Sequence, residues 1–328
     1  MTINFPYSLL EQDELIRKLN EFSGRGEAFY VLIRYDGQKG YFIPASYMND
    51  DWIRISFYSE IKSDPSLIGR WNVSPVEKEK YASKFDKVMA HIRRGDTFLI
   101  NLTQPSLVSC DDSLEELFEK AYAPYKIWIR DQFVCFSPER FVSIQNGCIR
   151  TFPMKGTIDA SLPAAEELVM NNEKEKAEHA TIVDLLRNDL SRVATDVKVT
   201  RYRYIDRIHT HKGELLQVSS EIQGKLPADY DSHLGDILFS LLPAGSISGA
   251  PKVKTLEIIQ QTEGYDRGFY TGICGFFDGA TFDSAVMIRF LEQAEEGFIY
   301  KSGGGITFQS EMEQEYQELI QKVYVPLH

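Results

Sequence analysis

A chain of 328 residues, 43 % hydrophobic and 26 % charged, has the make-up of a soluble globular protein with room for a large core in one domain or two. Its 48 acidic residues outnumber 36 basic ones, for a net charge of −12, which argues against a nucleic-acid surface and leaves any anionic ligand dependent on local cations or a metal. Four scattered cysteines without CxxC or Cys/His spacing exclude a zinc or disulfide framework; with no secretory signal and no apolar run of about 18 residues, a cytoplasmic location is expected.

The first 73 residues mix a short helix (Glu11–Phe22) with strand-like runs at Ala28–Tyr35 and Trp52–Tyr58. The pattern then predicts a helix over Val76–Arg94, capped by Ser74, opened by Pro75 and followed by Gly95. Tyr81, Phe85, Val88, Met89 and Ile92 mark its buried face. A strand at Thr97–Val108 and a helix at Ser113–Tyr122 follow. Phe141–Ile144 and Cys148–Phe152 flank Asn146-Gly147, a strong hairpin signature, so Lys155 is expected just after the hairpin's second strand.

A long helix, about Glu173–Val193, presents an apolar stripe of Ile182, Val183, Leu186, Leu190 and Val193. Strands near Val197–Tyr204 and Leu215–Ile222 lead to a helix at Leu234–Leu242. The last third alternates glycine-rich turns with strands at Tyr270–Phe277, Ser284–Leu291 and Phe298–Lys301, and closes on a helix at Glu311–Tyr324. Many short strands with helices bunched between them point to an α+β fold with antiparallel sheets.

Lys155 is the most informative residue. It sits in the apolar run Phe152-Pro153-Met154-Lys155-Gly156-Thr157, where burial would disfavour the ammonium form. A lysine that bears that cost serves as a nucleophile or base; read alone, the segment describes an exposed lysine after a strand at least as well. Glu139, in Ser137-Pro138-Glu139-Arg140, is a candidate general acid if buried. Read alone, it is as well explained as a turn carboxylate paired with Arg140. Glu315, Glu318 and Lys322 share one face of the closing helix, which on its own describes a solvated ion pair. Together with Glu178 near the start of the long helix, they could converge on a hard cation. Gly303-Gly304-Gly305 and the loop Gly245-Ser246-Ile247-Ser248-Gly249-Ala250-Pro251-Lys252 could each turn backbone N–H groups toward an anion, or be a flexible turn and a helix cap. Neither matches a nucleotide-binding fingerprint.

Taken in order, these segments resemble the chorismate-utilising enzymes. The resemblance runs from Gly95–Leu102 through Ser137–Phe141, Pro153–Thr157, Ala177–His179 with Ile182–Leu190, and Pro243–Lys252. It continues through Arg267–Gly272, Ile288-Arg289, and Gly303–Thr307 with Glu315–Lys322, covering roughly residues 74–328. Lys155 matches the aminodeoxychorismate-forming branch; anthranilate synthases resemble this pattern with alanine there. The resemblance implies one compact α+β domain over 1–328, two antiparallel sheets packed as a sandwich with helices outside, like anthranilate synthase component I. Residues 1–73 would contribute strands and 74–328 the catalytic region.

The resemblance also implies roles. Lys155 would attack ring C2 of chorismate, Glu139 would protonate the departing 4-hydroxyl, and ammonia would enter at C4 and expel the lysine. Mg²⁺ would be held by Glu178 and Glu318, with Glu315 close by. Gly156, Thr157, Ser248, Tyr270, Arg289, Gly303, Gly305 and Lys322 would line the substrate pocket. No Cys-His-Glu amidotransferase signature is visible, so glutamine-derived ammonia would come from a separate amidotransferase subunit. Anthranilate synthesis, isochorismate- or salicylate-type chemistry and a silent chorismate-binding subunit are the competing expectations. The chain departs from the family pattern at Leu99 (usually glutamine), Ser248 (threonine), Ala244 (glycine) and Ile158-Asp159-Ala160 (where arginine is frequent). His179 beside Glu178 is commoner in the anthranilate enzymes, and no tryptophan-binding motif is found.

Overall fold

In a computed structural model, residues 5–58, 68–210 and 213–327 are described. Strand periodicity sets the architecture. In Tyr125–Ile129 every residue is buried, but Tyr125, Ile127 and Ile129 join one apolar cluster while Trp128 joins another. A strand buried on both faces is a strand in the middle of layers.

Among the described residues there are two antiparallel sheets, one of ten strands and one of eight. The larger runs Leu10–Glu11, Lys39–Pro44, Phe29–Ile33, Ile273–Phe277, Phe282–Val286, Arg140–Gln145, Cys148–Thr151, Gly213–Lys225, Met154–Asp159, with Thr195–Thr210 also paired to Gly213–Lys225. The smaller runs Gly249–Ala250, Leu99–Cys110, Phe298–Thr307, Phe290–Gln293, Phe133–Ser137, Tyr125–Ile129, Ile53–Phe57, with Trp71–Ser74 on the outer side of Leu99–Cys110. The N-terminal residues therefore feed both sheets, and Phe29–Ile33 pairs with Ile273–Phe277 across most of the chain.

The facing sides of the two sheets meet in a cluster that includes Leu32, Ile43, Ile127, Phe133, Cys274, Met287 and Phe290. The outer face of the larger sheet is covered by the helices Gln12–Gly24, Glu173–Leu190 and Leu234–Leu241. Helices Lys78–Arg93, Lys252–Glu263 and Met312–Gln321 pack over Ile100, Leu102 and Ile306 of the smaller sheet. The expected α+β sandwich with external helices is the observed one.

Local expectations fare unevenly. The hairpin turn at Asn146-Gly147 has both residues at positive φ, 54° and 70°, as a tight two-residue turn requires. The helix expected from Val76 begins at Lys78 and buries the five predicted residues, but Ser74 ends a strand and does not cap it. The sheet claims the serine first, because Ser74 pairs with Leu107. The run Ser284–Leu291 is two strands in different sheets, Phe282–Val286 and Phe290–Gln293. Gly303-Gly304-Gly305 is no turn: it continues the strand Phe298–Thr307 against Leu99–Cys110.

Candidate active site

At two of the places where the chain passes from one sheet to the other, the short connection carries a predicted site residue. Glu139 lies between Phe133–Ser137 of the smaller sheet and Arg140–Gln145 of the larger. Arg289 lies between Phe282–Val286 of the larger and Phe290–Gln293 of the smaller. The crossings are tied together: the Glu139 carbonyl accepts from the Val286 N–H at 3.0 Å, and the Arg289 carbonyl accepts from the Phe136 N–H at 3.1 Å.

Lys155 is delivered differently. It follows the hairpin, as expected, and occupies a strand of its own, Met154–Asp159, paired with Gly213–Lys225. Between Met154 and Thr157 the register slips, and Gly156 sits at φ +87°. A bulge of this kind breaks side-chain alternation and re-aims one residue, here toward the space beside the sheets.

That space is a cavity of about 400 Å³, in the range of small-molecule sites. Of the predicted residues, Lys155, Glu139, Gly156, Thr157, Ser248, Tyr270, Arg289, Gly303, Gly305, Lys322 and Glu318 line it. Glu178 and Glu315 are not among the lining residues. Glu178 touches Lys155, whose Nζ stands 3.2 Å from its Oε2, and Glu315 lies beside Gly304 with Glu318. In a chain of net charge −12, the cavity gathers the cations Arg140, Lys155, Arg289, Lys301 and Lys322 against the carboxylates Glu139, Glu175 and Glu318. This is the local positive excess an anionic ligand needs.

Electrostatics separates the two central residues. Burial pushes the Glu139 carboxyl above its ordinary value, more than the Ser246 hydroxyl and the charges of Lys155, Arg289 and Lys322 pull it back. It is thus held ready to keep a proton, as a general acid must. Lys155 goes the other way from the sequence expectation. Burial lowers its pKa, but Glu178, helped by Glu175 and Glu318, outweighs that and raises it, so the resting side chain is an ammonium. The sequence showed the burial and not the partner.

Arg289 lines the cavity with an unused donor. Its backbone is left-handed, at φ 55°, its ring neighbour is Tyr324 at 5.1 Å, and its buried Nε has no hydrogen-bond partner among the described residues. Thr271, another lining residue, holds φ at 60°, a costly conformation for a β-branched side chain. Lys322 donates to the Gly303 carbonyl at 2.9 Å and pairs with Glu318 at 2.6 Å. Gly305 leaves room for the centre: a Cβ there would lie 3.1 Å from Leu99 and 3.7 Å from Lys155 Nζ.

Among the described residues no cluster of three or more His, Cys, Asp or Glu is close enough to enclose a metal ion. Two of the predicted ligands, Glu178 and Glu318, are engaged by Lys155 and Lys322 instead. The donor chemistry nevertheless suits a hard cation, being carboxylate oxygen throughout. Glu315 is pushed up by burial and then by the Glu318 and Glu178 carboxylates, a crowding that a divalent cation would relieve. Ser310 donates to Glu315 at 2.7 Å and orients it.

Residues 58–328 match the family described as chorismate binding enzyme. The chain belongs to that family. An uncharacterised PabA-like protein of Haemophilus influenzae is 48 % identical over 315 residues, covering 95 % of this chain and 96 % of that one. Aminodeoxychorismate synthase component 1 of Klebsiella aerogenes is 33 % identical over 279 residues; the match takes in 80 % of this chain but 60 % of the relative's length. In fold, the chain superposes on anthranilate synthase component I from Streptococcus pneumoniae with a TM-score of 0.72 at 21 % identity, over 98 % of this chain and 93 % of that structure.

Within this member of the chorismate-binding family, the structure places three further residues around the site. Ser248 is fully buried and donates its hydroxyl to the Ala244 carbonyl at 2.9 Å, while Ser246 reaches Glu139. Glu175 lines the cavity beside Gly156. Its position three residues before Glu178, on the same helix face, is a legible cue. His179 is fully buried behind Lys155, with Nε2 2.6 Å from the Ser220 hydroxyl. No described helix is long and apolar enough to cross a membrane.

Proposed function

We propose that this chain is an aminodeoxychorismate synthase component I. It would convert chorismate and ammonia to 4-amino-4-deoxychorismate, with the ammonia drawn from glutamine by a separate amidotransferase subunit. The observation that carries the reading is one lysine amine, Lys155, re-aimed by a bulge into a cation-rich cavity that also holds a buried carboxylic acid, Glu139.

The chemistry follows from those two groups. Lys155 must first give up a proton to the Glu178 carboxylate, to which it already donates. Its amine then forms a bond to ring C2 while the ring double bonds shift and the C4–oxygen bond breaks. Hydroxide leaves poorly, so Glu139 gives its proton to that oxygen, which departs as water. Ammonia adds at C4, the double bonds shift back, and the C2–nitrogen bond to Lys155 breaks. A covalent amine intermediate divides one difficult displacement into two easier ones. Arg289, Tyr270 and the backbone around Gly303 and Gly305 would hold one substrate carboxylate, with Lys322 nearby. Mg²⁺, held by Glu178, Glu315 and Glu318, would supply positive charge for the ring carboxylate.

Mass spectrometry of the product formed from chorismate, Mg²⁺ and ammonium tests the proposal. We expect 4-amino-4-deoxychorismate, and no amination when glutamine replaces ammonium. Anthranilate or isochorismate as the main product overturns the assignment in favour of the other branches. Absence of chorismate turnover favours a silent chorismate-binding subunit. Full activity with glutamine alone removes the need for a partner.

A further inference from the structure

We propose that Ser246 is a positioning residue for Glu139: its hydroxyl holds one carboxyl oxygen, so that the proton to be transferred resides on the other. The inference rests on the reading of Glu139 as the acid. Ser246 Oγ donates to Glu139 Oε1 at 2.5 Å, at the short end for a hydroxyl donor. An oxygen already accepting so strong a bond is the less basic of the pair, which leaves Oε2 to carry the proton.

Donor and acceptor are each fixed by separate parts of the fold. The Glu139 N–H donates to the Ser137 hydroxyl at 3.1 Å, and its carbonyl is tied to Val286. Ser246 stands in the single turn Gly245–Ser248. Arg267 Nη1 grips that turn at the Ile247 carbonyl at 3.0 Å, and Ser248 closes it back onto Ala244. At its start, Gly245 packs so near Asp189 that a Cβ would lie 2.8 Å from the carboxylate, and Lys252 beyond the turn pairs with the same Asp189 at 2.9 Å. A hydroxyl on so fixed a loop meets the carboxyl without reorganising during the reaction, as a preorganised donor should.

The bond strengthens as Glu139 gives up its proton, because the acceptor becomes a carboxylate. Ser246 therefore favours the proton-transfer transition state over the ground state. The other charged groups facing Glu139 are Lys155 from its bulged strand, Arg289 from the second sheet crossing and Lys322 from the end of the last helix. All three also favour the carboxylate, but as charges at a distance, with no say over which oxygen bears the proton.

The test follows chorismate consumption by the full chain with Mg²⁺ across pH, at a constant concentration of free NH₃. It compares the unchanged chain with Ser246→Ala, Ser246→Thr and Glu139→Gln. Ser246→Ala is expected to lower kcat about ten- to a hundred-fold, with KM for chorismate within about two-fold. The donor that favoured the carboxylate is gone, so the alkaline limb of the kcat profile moves to higher pH. Ser246→Thr restores both. A Ser246→Ala variant whose limb stays in place, or whose defect lies in KM, overturns the role of Ser246. Should that variant fail to fold, Ser246→Cys, a weaker donor of similar size, carries the same two readouts. Glu139→Gln at full rate overturns the acid assignment and this inference together. An inactive Glu139→Gln beside an unmoved Ser246→Ala overturns only the part assigned to Ser246.

Discussion

Two of the described lysines that the fold shields from water, Lys126 and Lys155, end in opposite states. Lys126, 2 % exposed under the helix Leu114–Lys120, donates to the Phe118 and Ala121 carbonyls at 2.7 and 3.0 Å and lies 4.5 Å over the Phe118 ring. Burial pulls its pKa down to about 8, with Glu119 offsetting a little. Lys155, in the cavity, has a carboxylate at 3.2 Å and is held above its ordinary value. The near-neutral lysine expected at the reactive centre is thus found at a helix end, where carbonyl dipoles favour a cation but supply no full negative charge. Desolvation alone therefore marks a buried lysine, not a catalytic one. On the proposed mechanism, the reactivity of Lys155 has to be released from a charged resting state.

The comparison breaks most sharply on activity. Lys155→Ala is expected to lower chorismate turnover by at least about 10³-fold, as loss of a covalent nucleophile does, while Lys126→Met stays within about two-fold of the unchanged chain. Steady-state kinetics on the two variants decides it, and equal losses would erase the distinction.

Stability should show the reverse. Lys126→Met removes the donor from two helix-end carbonyls and is expected to cost about 1–3 kcal/mol in urea melts. The pH dependence carries a sign. Lys126 has a folded pKa near 8 against 10.5 for the ordinary side chain, so between those values the unfolded chain binds the extra proton. The unchanged chain should therefore gain stability over Lys126→Met as pH rises through that window and lose it as pH falls. Lys155, raised above 10.5, stabilises below that value and loses its contribution as pH climbs through its folded pKa, so the same comparison with Lys155→Met should slope the other way.

The smallest effect is expected from crowding Lys155. A methyl group at Gly305→Ala would press on the end of Leu99, 3.1 Å away, and approach Lys155 Nζ at 3.7 Å. The leucine tip can yield, so turnover should fall no more than about ten-fold, with melting nearly unchanged. A loss as deep as that of Lys155→Ala would mean that the strand, not the side chain, sets the amine's position.

What the sequence made legible was local. The buried stripe of Lys78–Arg93 and the Asn146-Gly147 turn follow from residues a few places apart, and both were read correctly. The strand that carries Lys155 was not, because its partner, Gly213–Lys225, lies some sixty residues on and no periodicity links them. The glycine run looked like a turn for the same reason; its ladder is with Leu99–Cys110, two hundred residues earlier. At the site, ordered motifs brought out the residues of the cavity wall through family resemblance. Ser246 escaped, since its meaning lies in a contact across 107 residues. The ammonium state of Lys155 escaped because a pKa depends on what stands opposite, and Glu178 comes from another element.

The reciprocal bonds that join Glu139 to Val286 and Arg289 to Phe136 have a mechanical side. The proposed acid and the guanidinium proposed to hold a carboxylate are spliced into seams where the backbone passes from one sheet to the other. Their separation is therefore a gauge of how the two layers lie. A change in the interlayer packing at Met287 or Phe290 should be felt as a mismatch between proton donor and bound carboxylate, in a cavity neither side chain enters.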